Sequence, residues 1–176
     1  MGRGYVDAKF GDRLVIFAMV RIEGEKVILR SVDSSDIDTI LLWENSNREP
    51  LYGIYEEQYT REDVVRFVEN QQLYSFAETE QLRLMICSFS GERLGCIDLS
   101  EYNGESASVS ILIFDSDNRR KGFAKNALQM LISYAELLGL HTLYALILRE
   151  NIPSKNLFEK VGFESDGSML YRKLLR

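Results

Sequence analysis

A chain of 176 residues is long enough to bury a real core and suits a single domain. Its 27 acidic against 21 basic residues leave a formal net charge of -6, which argues against a general nucleic-acid surface and towards cationic partners. Two cysteines are too few for a disulfide framework and fit a reducing compartment, so a cytoplasmic location is expected. The apolar stretch 14–20 is far shorter than the roughly 20 residues that span a bilayer, and no membrane anchor is read.

Residues 1–25 read as an N-terminal extension ahead of one domain over 26–176. Val27-Ile28-Leu29-Arg30 has the character of a first strand. Asp33-Ser34-Ser35-Asp36 is a cluster of N-capping residues ahead of Ile37, Ile40, Leu41 and Glu44, which recur at helical spacing. Pro50 and Gly53 break the pattern. Thr60-Arg61-Glu62-Asp63 then resembles a capping box with Asp in the Glu position, and it feeds Val64, Val65, Phe67 and Val68 of a second helix.

Two β-rich runs, 82–88 and 93–100, flank the turn Ser90-Gly91-Glu92 and predict a hairpin. A turn centred on Gly91 and Glu92 would set Cys87 opposite Cys96, as free thiols packed like small hydrophobes rather than as a disulfide. Asn103-Gly104 turns the chain into a strand over 106–114. The basic turn Arg119-Arg120-Lys121-Gly122 follows, and then a helix from Ala124 with Ala127, Leu128, Leu131, Ala135 and Leu138 on one face, closed by Gly139.

The run 141–148 is almost unbroken apolar sequence, which predicts a central strand buried on both faces. Asn151 stands as N-cap and Pro153 in the first turn of a helix that ends at Gly162, and 169–174 is a last strand. The order β-α-α-β-β-β-α-β-α-β predicts an α+β fold: a mixed, mostly antiparallel sheet flanked by helices, with a parallel pair around the Arg119 loop.

A strand, a basic glycine turn and a helix N-terminus together make a phosphate cradle, because the free N–H groups of a first helical turn point outward and carry partial positive charge. The spacing Arg119-x-x-Gly122-x-Ala124 resembles the acyl-CoA-binding signature of the GNAT acetyltransferases. Asn151-x-x-Ser154-x-x-Leu157-Phe158-Glu159-Lys160-x-Gly162-Phe163 is similar to that family's later motif. Leu29-Arg30-x-x-Asp33, Trp43-Glu44-Asn45 and the stretch from Ile97 to Asn103 resemble the spermidine and ribosomal-protein N-terminal acetyltransferase branch.

This resemblance implies the GNAT fold, acetyl-CoA as cosubstrate and no metal. Backbone groups of Ile111, Leu112, Ile113 and Phe114 would hold the pantetheine arm, where the strand ending at Phe114 parts from the strand ending at Leu148. Arg119, Arg120, Lys121, Gly122, Phe123 and Ala124 would hold the pyrophosphate, Asn151 the pantetheine and Ser154 the adenine side. Structural roles stand beside these: Asn151 and Ser154 as helix-cap residues, and 119–121 as a solvated turn.

Phe158 occupies the position where the family often has a tyrosine that protonates the leaving thiolate, and phenylalanine has no proton to give. That role would pass to Tyr171, Tyr134 or solvent, or the thiolate would leave unaided. Ser108 stands where relatives frequently carry a glutamate, so the base would be Asp98 or Glu101, which read equally as exposed edge carboxylates. The lone His141 reads as structural.

By the same resemblance the substrate segment is 45–59, where Tyr52, Tyr55, Glu56, Glu57 and Tyr59 suit an amine or ammonium group. The expected activity is acetyl transfer to a primary amine, with a polyamine first and a protein N-terminus second. A non-catalytic acyl-CoA-binding module is the reading from a different class. The resemblance also implies a homodimer, and neither nucleic acid nor membrane is an expected partner.

Overall fold

The computed structural model describes residues 19–46 and 58–176 in full and the backbone of 8–10 and 13–15. Capping begins the first two long helices. Asp33 accepts from the Ser35 N–H and starts a 3-10 turn, Ser34–Asp36, that runs into α1, Ile37–Ser46. Thr60 and Asp63 cap one another at the start of α2, Arg61–Leu73, so the shorter Asp side chain serves in the capping box as the sequence suggests. A short helix α3, Phe76–Thr79, follows; the sequence pattern did not announce it.

Two strands, β1 (Ala8–Phe10) and β2 (Arg13–Val15), form a separate antiparallel hairpin. The main sheet has seven strands, in the spatial order of the chain: β3 (Arg21–Glu23), β4 (Ile28–Ser31), β5 (Leu82–Cys87), β6 (Arg93–Ser100), β7 (Ser106–Ile113), β8 (Thr142–Leu146) and β9 (Leu170–Leu174). Every neighbouring pair is antiparallel except β7 and β8, which are parallel and joined through α4, Phe123–Leu137. The remaining helix, α5, is Ile152–Lys160. The sheet begins at β3, inside the stretch read from sequence as an extension.

Side chains alternate across the sheet with period two, and each face has its own core. Leu84, Ile86, Ile97, Leu99 and Val109 join Leu128, Leu131 and Ala135 of α4, with Phe158 of α5 in the same cluster. Met85, Cys87 and Cys96 join Ile40 and Trp43 of α1 and Val64 and Val68 of α2. This is the α+β arrangement of helices on both faces expected from the element order.

Two expectations are corrected. Cys87 and Cys96 are not cross-strand partners: the hairpin is centred on Ser90 and Gly91, one position earlier than expected, which sets Cys96 opposite Met85, and an irregularity between Ile86 and Cys87 then sets Cys87 opposite Arg93. Both are free and buried. Nor is β8 buried on both faces. Leu143 and Ala145 face the core while Leu146 is 73% exposed, since β8 is next to last in the sheet and only one of its faces is covered here.

A buried ionic cluster, which no local sequence pattern announces, lies at the start of α1. Asp36 has no exposed surface and accepts from Arg30 through both oxygens at 2.7 and 2.8 Å, from Arg93 at 2.5 Å and from the Asp33 N–H at 2.9 Å. It ties the start of α1 to β4 and β6. No helix among the described residues is long and apolar enough to cross a membrane.

Candidate active site

β7 pairs with β6 from Ser108 to Ile113 but with β8 only at Ser106, Ala107 and Ser108, opposite Thr142, Leu143 and Tyr144. Beyond Ser108 the two parallel strands part. The β8-facing edge of residues 109–113 therefore has backbone donors and acceptors that no strand pairs. Gly95 lets β6 and β7 come together beside this edge: a Cβ there would stand 1.8 Å from the Leu112 carbonyl oxygen.

After β7, Asp115 caps a 3-10 turn, Ser116–Asn118, and the chain reverses through two left-handed residues, Arg120 at φ +59° and Gly122 at φ +86°. Gly122 is the N-cap of α4, and no side chain caps that helix. The Asn126 N–H reaches the Gly122 carbonyl at 3.0 Å, so the donors of the turn before it point out of the helix end beside the open edge of β7.

The three basic residues of the loop are not equivalent. Arg119 turns back and donates to the carbonyls of Ile113 at 3.1 Å and Phe114 at 3.2 Å, which fixes the end of β7. Lys121 Nζ lies 3.3 Å from Asn118 Oδ1, and Arg120 is exposed. A fourth cation comes from the turn between β3 and β4: Lys26 Nζ donates to the Lys121 carbonyl at 3.0 Å. Asn126 Oδ1 accepts from the backbone of Lys26 and Val27 and holds that turn against α4. Lys26 is 95 positions from Lys121, so no local pattern could have announced it.

On the second motif, Asn151 Oδ1 accepts from the Ser154 N–H at 3.1 Å and caps α5. Phe158 is buried and meets Phe163 edge to face, with centroids 4.9 Å apart. Tyr171 is on β9 opposite Ala145, with β8 between it and β7, and its hydroxyl donates to Glu159 at 3.4 Å. Desolvation and the Glu159 carboxylate raise its pKa, which makes the phenol a weaker acid. His141 is exposed; its N–H and carbonyl bridge Glu105 and Leu175 at the foot of β8.

The two carboxylates proposed from sequence sit in different settings. Asp98 is buried and takes both of its oxygens to Arg83, at 2.8 Å each, with the Ser110 hydroxyl at 3.3 Å. Arg83 also reaches Glu44 at 2.5 Å and lies over the Phe67 ring. Burial opposes the charge on Arg83, but Asp98 outweighs it and the guanidinium pKa is raised. Arg83 thus joins two of the segments noted in the sequence, and the only hint of it was a single charge in an otherwise apolar strand. Glu101 is exposed, at φ +54°, and its carboxylate accepts from the Ser108 hydroxyl at 2.5 Å.

Tyr52, Tyr55, Glu56 and Glu57 lie outside the described residues. A shallow cleft of about 310 Å3 between α2 and α3, lined in part by Phe67, Gln71, Tyr74 and Glu78, includes no residue of β7, β8 or the Gly122 loop. Among the described residues no group of three or more His, Cys, Asp or Glu side chains forms a metal site.

Comparison with known proteins bears on the fold and the family. A spermidine N(1)-acetyltransferase of Escherichia coli is 25% identical over 148 residues, 82% of this chain and 76% of that protein. An uncharacterised protein of Methanocaldococcus jannaschii is 23% identical over 144 residues, 81% of this chain, but the match spans only 29% of that relative's length. Among solved structures, the Vibrio cholerae spermidine N-acetyltransferase in complex with CoA and spermine superposes with a TM-score of 0.70 at 22% identity, covering 84% of this chain and 95% of that one. A ribosomal-protein-S5-alanine acetyltransferase of Vibrio fischeri gives 0.71 at 18% identity, covering 88% and 96%. At these identities the structural likeness speaks for the fold alone. The acetyltransferase (GNAT) domain profile matches residues 26–164, most of the chain, and the protein belongs to the GNAT acetyltransferase family.

Proposed function

We propose that the protein transfers the acetyl group of acetyl-CoA to a primary amine and that its acceptor is a small polyamine-like molecule. The observation that carries this is the meeting of two features at one place: the unpaired edge of β7 beyond Ser108 and the uncapped, glycine-started N-terminus of α4. The edge offers N–H and C=O groups at residues 111–113 to the amides of a pantetheine arm, apart from the Ile113 carbonyl, which Arg119 holds; the Phe114 N–H already donates to the Leu94 carbonyl and the Phe114 carbonyl accepts from Arg119. The helix end offers backbone donors to a pyrophosphate, with Arg120, Lys121 and Lys26 as nearby charge.

Arg119 contributes by holding the carbonyls of Ile113 and Phe114, and Asn151 and Ser154 by shaping the start of α5. Phe158 would supply an apolar wall and no proton. Acetyl-CoA, when bound, supplies a thioester whose carbonyl carbon an amine can attack. The acceptor preference is supported by the acidic net charge and by the spermidine acetyltransferases among the relatives. A cytoplasmic location goes with the two free cysteines; a homodimer rests on family likeness alone.

The test is release of CoA thiol from acetyl-CoA with spermidine in one series and peptides bearing free N-termini in another, compared by kcat/KM. A higher value for spermidine supports the polyamine reading. A higher value for peptides transfers the activity to protein N-termini. Tight acetyl-CoA binding with no release from either series favours a binding module.

A further inference from the structure

We propose that Glu101 accepts the proton of the acceptor's ammonium group and that Ser108 positions it for that step, an inference that rests on the acetyl-transfer reading above. Asp98 is closed to this role: both of its oxygens are held by Arg83, and a proton arriving there would break a buried ion pair. Glu159 lies out on α5 against Tyr171. Glu101 is exposed, and the hydrogen bond it makes is to one oxygen, from the hydroxyl of Ser108 at 2.5 Å.

Glu101 also stands at the right place in the sheet. Ser108 is the last β7 residue paired with β8, so its hydroxyl stands at the vertex where the strands part and where the open edge begins. Directly across on β6 is Ser100, and Glu101 is the next residue. At φ +54° Glu101 adopts a conformation that a side chain bearing a Cβ disfavours. Strained residues of this kind persist where the surroundings impose them and cluster at functional sites. Here the imposed turn brings the carboxylate back onto the vertex.

A protonated amine gives one N–H proton to a Glu101 oxygen, and the neutral nitrogen attacks the thioester carbonyl carbon. The C–N bond forms, the C–S bond breaks, and the thiolate leaves. The second proton of that nitrogen goes to the thiolate sulfur, by way of solvent, giving CoA thiol and an amide. Glu101 then returns its proton to solvent. Nothing is oxidised or reduced.

Four proteins and two acceptors test this. Glu101→Gln should lower kcat/KM for spermidine by about 10^2-fold or more, with acetyl-CoA affinity unchanged. With trifluoroethylamine, which is already neutral in the assay, the same variant should lose little. Ser108→Ala should lower kcat for spermidine without changing KM for acetyl-CoA, and Ser108→Thr, which keeps the hydroxyl, should restore it. Glu101→Gly, which suits the left-handed backbone, should match the wild-type Tm and share the defect of the Gln variant. Equal losses with both amines would mark Glu101 as structural and overturn the proposal, as would a Gln variant that matches wild type with spermidine. Wild-type protein that binds acetyl-CoA but turns over neither amine would defeat the acetyl-transfer reading, and this inference with it.

Discussion

Arg83 on β5 donates to both carboxylate oxygens of Asp98 on β6, through Nε and Nη2 at 2.8 Å each, while its Nη1 reaches Glu44 on α1. One guanidinium therefore joins two strands and a helix on the sheet face that α1 and α2 cover. Removing one partner of a buried, hydrogen-bonded pair leaves the other uncompensated, which costs more than the pair itself contributes. Asp98→Asn is expected to destabilise the fold by about 3 kcal/mol. In a thermal melt that is a fall on the order of 10 °C for a chain of this size. A melt unchanged by the substitution would remove the pair from the account of the fold.

Asp36 gives a pH signature. Burial alone would raise its carboxyl pKa, but hydrogen bonds from Arg30 and Arg93 and from the Asp33 backbone outweigh burial and hold it below the ordinary aspartate value. The folded-state pKa lies below the unfolded one. The stabilisation is therefore complete above the unfolded value of about 4 and is lost as pH falls through the lower folded value. Urea midpoints measured from neutral to acid pH should fall in that lower range, and Asp36→Asn should flatten the part of the slope that comes from this group.

Gly122 links backbone geometry to the cofactor. An alanine there would hold φ +86° at a cost of about 1–2 kcal/mol, and its Cβ would stand 3.1 Å from Lys26 Nζ, in the cradle. Calorimetric titration of Gly122→Ala with acetyl-CoA is expected to show affinity weakened on the order of tenfold, equivalent to about 1.4 kcal/mol. Undiminished affinity would place the pyrophosphate elsewhere.

The thiols should be silent in the native state. Burial pushes the Cys96 thiol up to about 12 and raises Cys87 as well. Neither should react with a thiol reagent at neutral pH until denaturant is added, when both should. Rapid labelling of the folded protein would contradict their placement in the core.

Local chemistry made much of this fold legible. Capping at Asp33, Thr60 and Asn151, the glycine at the start of α4 and the period-two strands are all decided by neighbouring residues. What escaped was set by pairing at a distance. The register shift at Cys87 depends on how β5 meets β6, and the exposure of Leu146 depends on β8 lying near the sheet edge. Arg83 and Lys26 reach Asp98 and Lys121 only after the sheet forms, over separations of 15 and 95 positions, and Asp36 meets Arg93 over 57. The candidate site divided along the same line: the Gly122 loop is a local motif, whereas the contact between Glu101 and Ser108 exists because β6 and β7 are paired.

The most direct test of the central claim is a mass spectrum of spermidine incubated with the protein and acetyl-CoA, taken alongside a titration of released thiol. The account predicts monoacetylated spermidine in amounts equal to the CoA released. Acetyl-CoA left intact by folded protein across polyamines and other primary amines would contradict it.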